Sequence, residues 1–409
     1  MKKRNTKHEK RLKRLVITCL LCAIILSVST YAWFIGMKTV SVNAFEVNIK
    51  TTESLMLSLD AKTWSYNLDV NETTIKPTDY SANQNSWGGT DGLIPMSSIG
   101  TIDPTTSKMT LFEKGSLTAT DGGYRLLASK VANTANEEKP GYVAFDLFIR
   151  NLSGEKYYSD LGDNEEAIYL IPESEVIVAD AGNANAGIEN SVRVAFAQIG
   201  RVQNYAGETP TEGELSLAQG ISCATKTGVT VICDNRKATI WEPNDTKHVN
   251  NAIEWYKASC KKRDTNTGAY GADLCEDISN GTAYDTYAVA KEITAGGVDV
   301  YDGEDYNGYS ANVGEGKSLY NVDTFTDTEK DYKGTARPTF LTLAPNSITK
   351  VRVYVYIEGQ DVDNYDFASL GQAIKVSFGF TKERFYGEDV NYDGDPALPE
   401  GLQSRESAS

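Results

Sequence analysis

Two histidines occur in the sequence, His8 in a basic N-terminal cluster and His248 in the polar run Asn244-Asp-Thr-Lys-His-Val-Asn250. A zinc protease of the two-histidine type needs both imidazoles on one helix face, and no His-Glu-x-x-His is present. A Ser-His-Asp or Cys-His arrangement would rest on His248 alone, with no Gly-x-Ser-x-Gly elbow beside it. One histidine in a polar loop reads as a solvated side chain. Paired carboxylates for glycoside hydrolysis have no distinguishing spacing in so acidic a chain. These residue types point away from an enzyme.

Acidic oxygens are better arranged for a cation. Asp389, Asn391, Asp393, Asp395 and Glu400 fit the calcium-loop template, with Gly394 at the sharp turn and Glu400 placed to close the shell. The match predicts weak calcium binding of the extracellular kind. Pro396 and Pro399 and the lack of flanking amphipathic helices favour instead a mobile acidic tail over 383–409. No other cofactor is implied. A second patch, Glu358-Gly-Gln-Asp361-Val-Asp363-Asn364, comes directly after a Tyr/Val strand. It reads as a tight turn, with Gly359 at positive φ and Asp361 capping it, ahead of a cation site or a contact between subunits. Asp299, Asp302, Glu304 and Asp305 read as a solvated loop. Asn71, Asn151 and Asn280 head glycosylation-type triplets.

Of the six cysteines, Cys19 and Cys22 lie in an apolar leader, and the rest form two close pairs. Sequential pairing, Cys223 with Cys233 and Cys260 with Cys275, closes short loops, with 222–234 as a hairpin. Each bridge adds about 2–4 kcal/mol in an oxidising exterior. The spacing does not suit a zinc ribbon.

The elements that must hold these groups begin with an address. Residues 1–14 carry eight Lys/Arg against Glu9, and 15–37 contains no charge. Basic flanks stay on the cytoplasmic side, so the remainder of the chain is exported. Thr30-Tyr31-Ala32 offers a signal-peptidase site between Ala32 and Trp33, while the 23 uncharged residues also suffice to span a bilayer if uncut. Cleaved signal and retained anchor, with a cytoplasmic N-terminus and membrane contact through 15–37, both remain open. The whole chain has a formal charge of −16, of which 1–14 supply +7, leaving −23 on the exported part. That charge argues against nucleic acid and anionic lipid surfaces as partners.

The order of basic cluster, apolar run, Thr-Tyr-Ala, Trp-Phe, then Val-Ser-Val-Asn-Ala-Phe-Glu-Val-Asn-Ile49 resembles the start of the TasA/camelysin family of secreted bacterial matrix-fibre proteins. The resemblance covers residues 10–50. It implies cleavage just before the aromatic segment and a new N-terminus that is an extended strand. In fibre-forming members this strand enters the neighbouring subunit's β-sandwich; its counterpart here is 33–50.

Period-two alternation recurs along the chain. Val351, Val353, Val355 and Ile357 share one strand face, with Arg352, Tyr354 and Tyr356 on the other. Val143, Phe145, Leu147 and Ile149 alternate likewise, as do Ile374, Val376, Phe378 and Phe380. Shorter strands are expected at 54–59, 168–171, 175–178, 192–196, 229–232, 239–241, 287–293 and 340–343. The phase slip within 40–49 suggests a bulge near Asn43 and Ala44, and only 250–262 reads as a helix. Half-buried strands with polar outer faces predict an all-β protein, an antiparallel, jelly-roll-like β-sandwich behind the signal or transmembrane helix of 1–32. Its core is expected to combine 38–200 with 335–382. A loop-rich insertion, 201–334, holds the two disulfides. The function expected is a non-enzymatic structural protein, extracellular or at the cell surface, that self-associates into a fibre or biofilm matrix by strand donation. The alternative is a membrane-anchored surface protein that binds a ligand or host partner through 201–334.

Overall fold

The computed structural model describes residues 44–384, except 52–53, 76–79, 81–82, 84, 88–92, 115–117, 121–122, 126, 133–140, 163, 179–185, 260, 264–269, 274–277, 294–316 and 366–372. Outside the described residues lie the leader, the Ala32 and Trp33 cleavage site, the bulge expected at Asn43, Cys260 and Cys275, the loop 299–305, and the calcium candidates Asp389, Asn391, Asp393, Asp395 and Glu400. No helix among the described residues is long and apolar enough to cross a membrane.

The principal elements, in chain order, are β1 (Ala44–Thr51), β2 (Leu55–Ser58), β3 (Asn67–Val70), β4 (Val143–Asn151), β5 (Glu166–Leu170), β6 (Glu175–Val178), β7 (Val192–Gln203), α1 (Glu212–Gln219), β8 (Thr239–Glu242), α2 (Asn250–Ser259), β9 (Phe325–Thr326), β10 (Leu341–Leu343), β11 (Ser347–Glu358) and β12 (Ala373–Thr381). The longest alternating run in the sequence becomes the axis. β11 has β4 antiparallel on one edge, with Asp146 opposite Arg352, and β7 on the other, with Val194 opposite Val355. Beyond β4 lies β2, and beyond β7 lie β8 and β9, in a sheet of eleven strands among the described residues. A second sheet of six strands has the order β10-β5-β12-β1-β3, with β6 also on β12.

The two sheets share one apolar layer. Val143, Phe145, Leu147 and Ile149 of β4, Val194 and Phe196 of β7 and the valines of β11 meet Val47 and Ile49 of β1 and Ile374, Val376, Phe378 and Phe380 of β12. The Phe196 ring lies 5.0 Å from both Phe340 and Phe378, edge to face. Burying each such side chain contributes about 1.5–3 kcal/mol, so this layer is the main reason for the fold.

The opposite face of the large sheet is the first correction. Arg352, Tyr354 and Tyr356, expected to face solvent, are buried, as is every residue of β11. They lie beneath a second apolar layer built from Tyr80, Met96, Ile102, Met109, Tyr205, Ala218, Ile221 and the disulfide Cys223–Cys233. Tyr rings accept such burial because their bodies are apolar, and the charges there are paired. Asp146 accepts from Arg352 Nε at 2.8 Å and Tyr80 Oη at 2.6 Å and pairs with Lys350 Nζ at 3.0 Å. Burial alone would raise the Asp146 carboxyl, but the Arg352 and Lys350 cations outweigh it and hold it well below the usual carboxylate range.

Further differences arise from tertiary pairing. The sheets are mixed and not purely antiparallel: β1 runs parallel to β12, and β9 parallel to β8. Parallel neighbours need a long connection, and strands from opposite ends of the chain have one. The hairpin expected at 222–234 does not form; Thr230 and Val231 pair with β7. β7 itself runs to Gln203, with a bulge between Gln198 and Gly200. The extra residue moves the apolar phase, so Val194 and Phe196 face the first layer while Val202, of the same parity, faces the second. The segment 201–334 supplies β8 and β9 to the large sheet, and Trp241 of β8 is fully buried in the shared layer.

Candidate functional site

His248 and the acidic turn after β11, separate surface features in the sequence, meet in one buried cluster. β11 delivers Glu358 and the turn to one end of the large sheet. β7 begins there with Arg193, β8 ends there with Glu242, and the 244–249 segment brings His248 in ahead of α2. Arg193 and Glu358 are each 1% exposed and Asp363 0%.

Arg193 is the hub. Its guanidinium pairs with Glu242 and, at 2.5 Å, with Asp361, and it donates to the carbonyls of Asn190 (3.1 Å) and Val192 (3.2 Å). Glu242 also accepts from Thr286 Oγ1 at 2.5 Å and Thr324 Oγ1 at 3.1 Å. Asp361 does cap the turn, accepting from the Asp363 amide at 2.7 Å. Gly359 does not take the positive φ expected of it; its amide instead donates to Met96 O at 2.7 Å, pinning the turn to a neighbouring strand.

His248 is 7% exposed, which corrects the solvated reading. Nδ1 lies 2.8 Å from Asp363 Oδ2, and Nε2 3.1 Å from the Thr282 carbonyl. An ionised Asp363 and the Thr282 carbonyl both accept, an arrangement that favours the ring protonated on both nitrogens. Burial opposes that charge, but the Asp363 hydrogen bond and charge prevail and raise the His248 pKa. Asp363 Oδ1 also accepts from the Val249 amide at 3.0 Å. Gly187, at φ +83°, leaves room for this: a Cβ there would lie 2.7 Å from Val249 and 3.0 Å from Asp363 Oδ1.

Three carboxyl groups thus surround one arginine. Burial raises Glu242 despite Arg193, and it pushes Glu358 up to about 8, so Glu358 keeps its proton at neutral pH. Asp245, in the loop before His248, is likewise pushed up to about 8 by burial and by the Asp327 carboxyl against it. The recess lined by Arg193, Glu242, His248, Thr286 and Gln360 encloses about 10 Å³, room for one water-sized group. Substrate pockets occupy roughly 300–1,000 Å³. Among the described residues, no group of three or more His, Cys, Asp or Glu is arranged to hold a metal ion.

The cluster can therefore store protons and tie four chain segments together, but it offers no unoccupied imidazole nitrogen as a base. Arg193 and Glu242 are not apparent as site residues from sequence; the signal they leave is a charge set inside each of the apolar runs Val192-Arg-Val194 and Ile240-Trp-Glu242. Of the glycosylation-type asparagines, Asn151 is fully buried, Asn71 caps the turn at Thr73 and Thr74, and Asn280 accepts from the His248 amide. No protein-family model, curated protein or solved structure matches this chain.

Proposed function

We propose that this chain is an exported, non-enzymatic structural protein of a bacterial cell surface, a jelly-roll-like subunit or accessory of an extracellular fibre, assembling through its N-terminal strand. One observation carries the reading. The strand nearest the apolar leader, β1, lies in a slot between β12 and β3, parallel to β12 over all eight of its residues. Its Val47 and Ile49 are each 1% exposed, so the slot must be filled by such a strand. β1 joins β2 through 52–54 alone, a connection at which the strand could be handed to a neighbouring copy while keeping its register. The resemblance of residues 10–50 to TasA/camelysin proteins supports the same reading, as does the saturated hydrogen bonding of His248.

Paired cysteines test it. Asn48 of β1 sits opposite Ser377 of β12, so Asn48→Cys with Ser377→Cys can bridge them. In exported protein forming filaments, strand donation predicts a non-reducing ladder of linked subunits, absent from either single variant. Filaments whose subunits carry only internal links would exclude donation; no filaments under any condition would exclude the fibre reading. Amino-terminal sequencing is expected to begin at Trp33.

A further inference from the structure

Away from the His248 cluster, three strand ends bring together a lysine, an asparagine and a glutamate. Asn151 is the last residue of β4, Glu166 the first of β5, and Lys382 comes directly after β12. Asn151 is fully buried, while the side chains of Lys382 and Glu166 are 20% and 35% exposed. Lys382 Nζ lies 2.6 Å from Asn151 Oδ1 and 2.8 Å from Glu166 Oε2. The same Glu166 oxygen accepts from Asn151 Nδ2 at 2.6 Å. Ala344 O also accepts from Nδ2, at 2.9 Å, and Oδ1 faces the Ser153 amide at 3.2 Å and its hydroxyl at 2.9 Å. Acceptors on one side and donors on the other fix which end of the amide is which.

A strand end held by an ion pair needs a carboxylate on the lysine. It does not need the same oxygen on the amide nitrogen as well. Here one oxygen touches both the amine and the group that amine would displace. We propose that Lys382 and Asn151 join in an intramolecular isopeptide bond, with Glu166 as the catalytic proton carrier.

The chemistry closes without an oxidant or a further reactant. Lys382 gives a proton to Glu166, and the lone pair so freed attacks Asn151 Cγ. Negative charge develops on Oδ1, where the Ser153 amide stabilises it, while the Ser153 hydroxyl donates to Glu166 Oε2 at 2.5 Å. Glu166 passes its proton to Nδ2 and takes the surplus proton from Nζ. The Cγ–Nδ2 bond breaks, the Nζ–Cγ bond remains, and the departing ammonia takes up that proton as ammonium. Burial raises the Glu166 carboxyl, but Asn151, Lys382 and Ser153 outweigh it and keep it below the ordinary carboxylate range, so it is ionised beside the lysine and takes up a proton only as the amine attacks. An amine rarely attacks an amide in solution. Holding the two in contact supplies effective concentrations on the order of 10⁵–10⁸ M, and the exposed side of Glu166 gives ammonia a way out. The bond would close a 231-residue separation and tie the large sheet to the small one.

Mass spectrometry of the reduced full-length protein decides the matter. The expected mass falls short of that calculated from the observed N-terminus by one ammonia, and a digest yields the Asn151 and Lys382 peptides as one linked pair. Lys382→Arg and Glu166→Gln are each expected to restore the full mass and separate the peptides. Full mass in the wild-type protein after prolonged incubation at mildly alkaline pH would overturn the proposal. So would loss of ammonia without a linked pair, which would mark cyclisation at Asn151-Leu152.

Discussion

Whether a buried ionisable side chain is charged depends here on how many of its partners can only accept. His248 meets two such partners, which favour its protonated form, while Glu358 meets too little compensation and its neutral form is favoured. Both effects favour the fold at the acid side of neutrality. The raised His248 pKa contributes fully below the unfolded value of about 6.5 and is lost as pH rises through the folded one. Glu358 in the fold titrates at about 8 against 4.5 unfolded, so the folded protein binds the extra proton in that interval and loses stability as pH climbs through it. Unfolding midpoints are therefore expected to fall between about pH 5 and pH 8. Glu358→Gln, neutral throughout, should flatten the fall and gain on the order of 1–3 kcal/mol over wild type at the alkaline end; superimposable pH profiles would refute this. The Asp146 carboxyl is the opposite case, a buried group held ionised by its neighbours. Asp146→Asn leaves Lys350 and Arg352 buried without a counter-ion and should cost about 3–5 kcal/mol in denaturant unfolding.

Elements in this protein are shaped by what covers them. The Arg352, Tyr354 and Tyr356 face resembles an outer face in sequence because alternation reports the contrast between two faces and not the presence of a third layer. The helix α1 is not among the sequence expectations, although Thr211 and Glu214 form a capping box, with the Glu214 amide 3.2 Å from Thr211 Oγ1. By contrast α2 is legible, since Ala252 and Tyr256 recur at helical spacing and both are buried. Backbone conformation at element ends is equally specific. Gly187→Ala demands a left-handed residue and a Cβ against Val249 and Asp363. It should destabilise by more than about 1 kcal/mol and, by loosening Asp363 from His248, flatten the part of the pH dependence of unfolding that His248 contributes. An alanine variant with wild-type midpoints would show that the close approach relaxes freely.

Across the described residues, the β layers bring together strands far apart in the chain. β1, near the start of the described chain, lies beside β12, near its end, and Lys382 just beyond β12 reaches back to the end of β4. If strand donation operates, the pulling load on β1 passes directly to β12, and a covalent link at Lys382 would carry it on into the large sheet. The two proposals are separable: Lys382→Arg should leave filament formation intact while filaments dissociate at lower denaturant concentration than wild type. Equal denaturant resistance of the two filaments would show that the link carries no load.

Period-two runs specify strands locally, because a pleated backbone turns successive side chains to opposite faces. For that reason β4, β11, β12 and the buried parity of Val47 and Ile49 could be read from the sequence alone, as could the close pairing of Cys223 with Cys233 and the poverty of histidine. Local pattern carries no information about residues that meet across two hundred positions. The second layer over Arg352 and Tyr356, the parallel seat of β1, the enclosure of His248 by Asp363 and the meeting of Asn151, Glu166 and Lys382 were decided only when the strands paired, since each depends on the packing of segments distant in the chain.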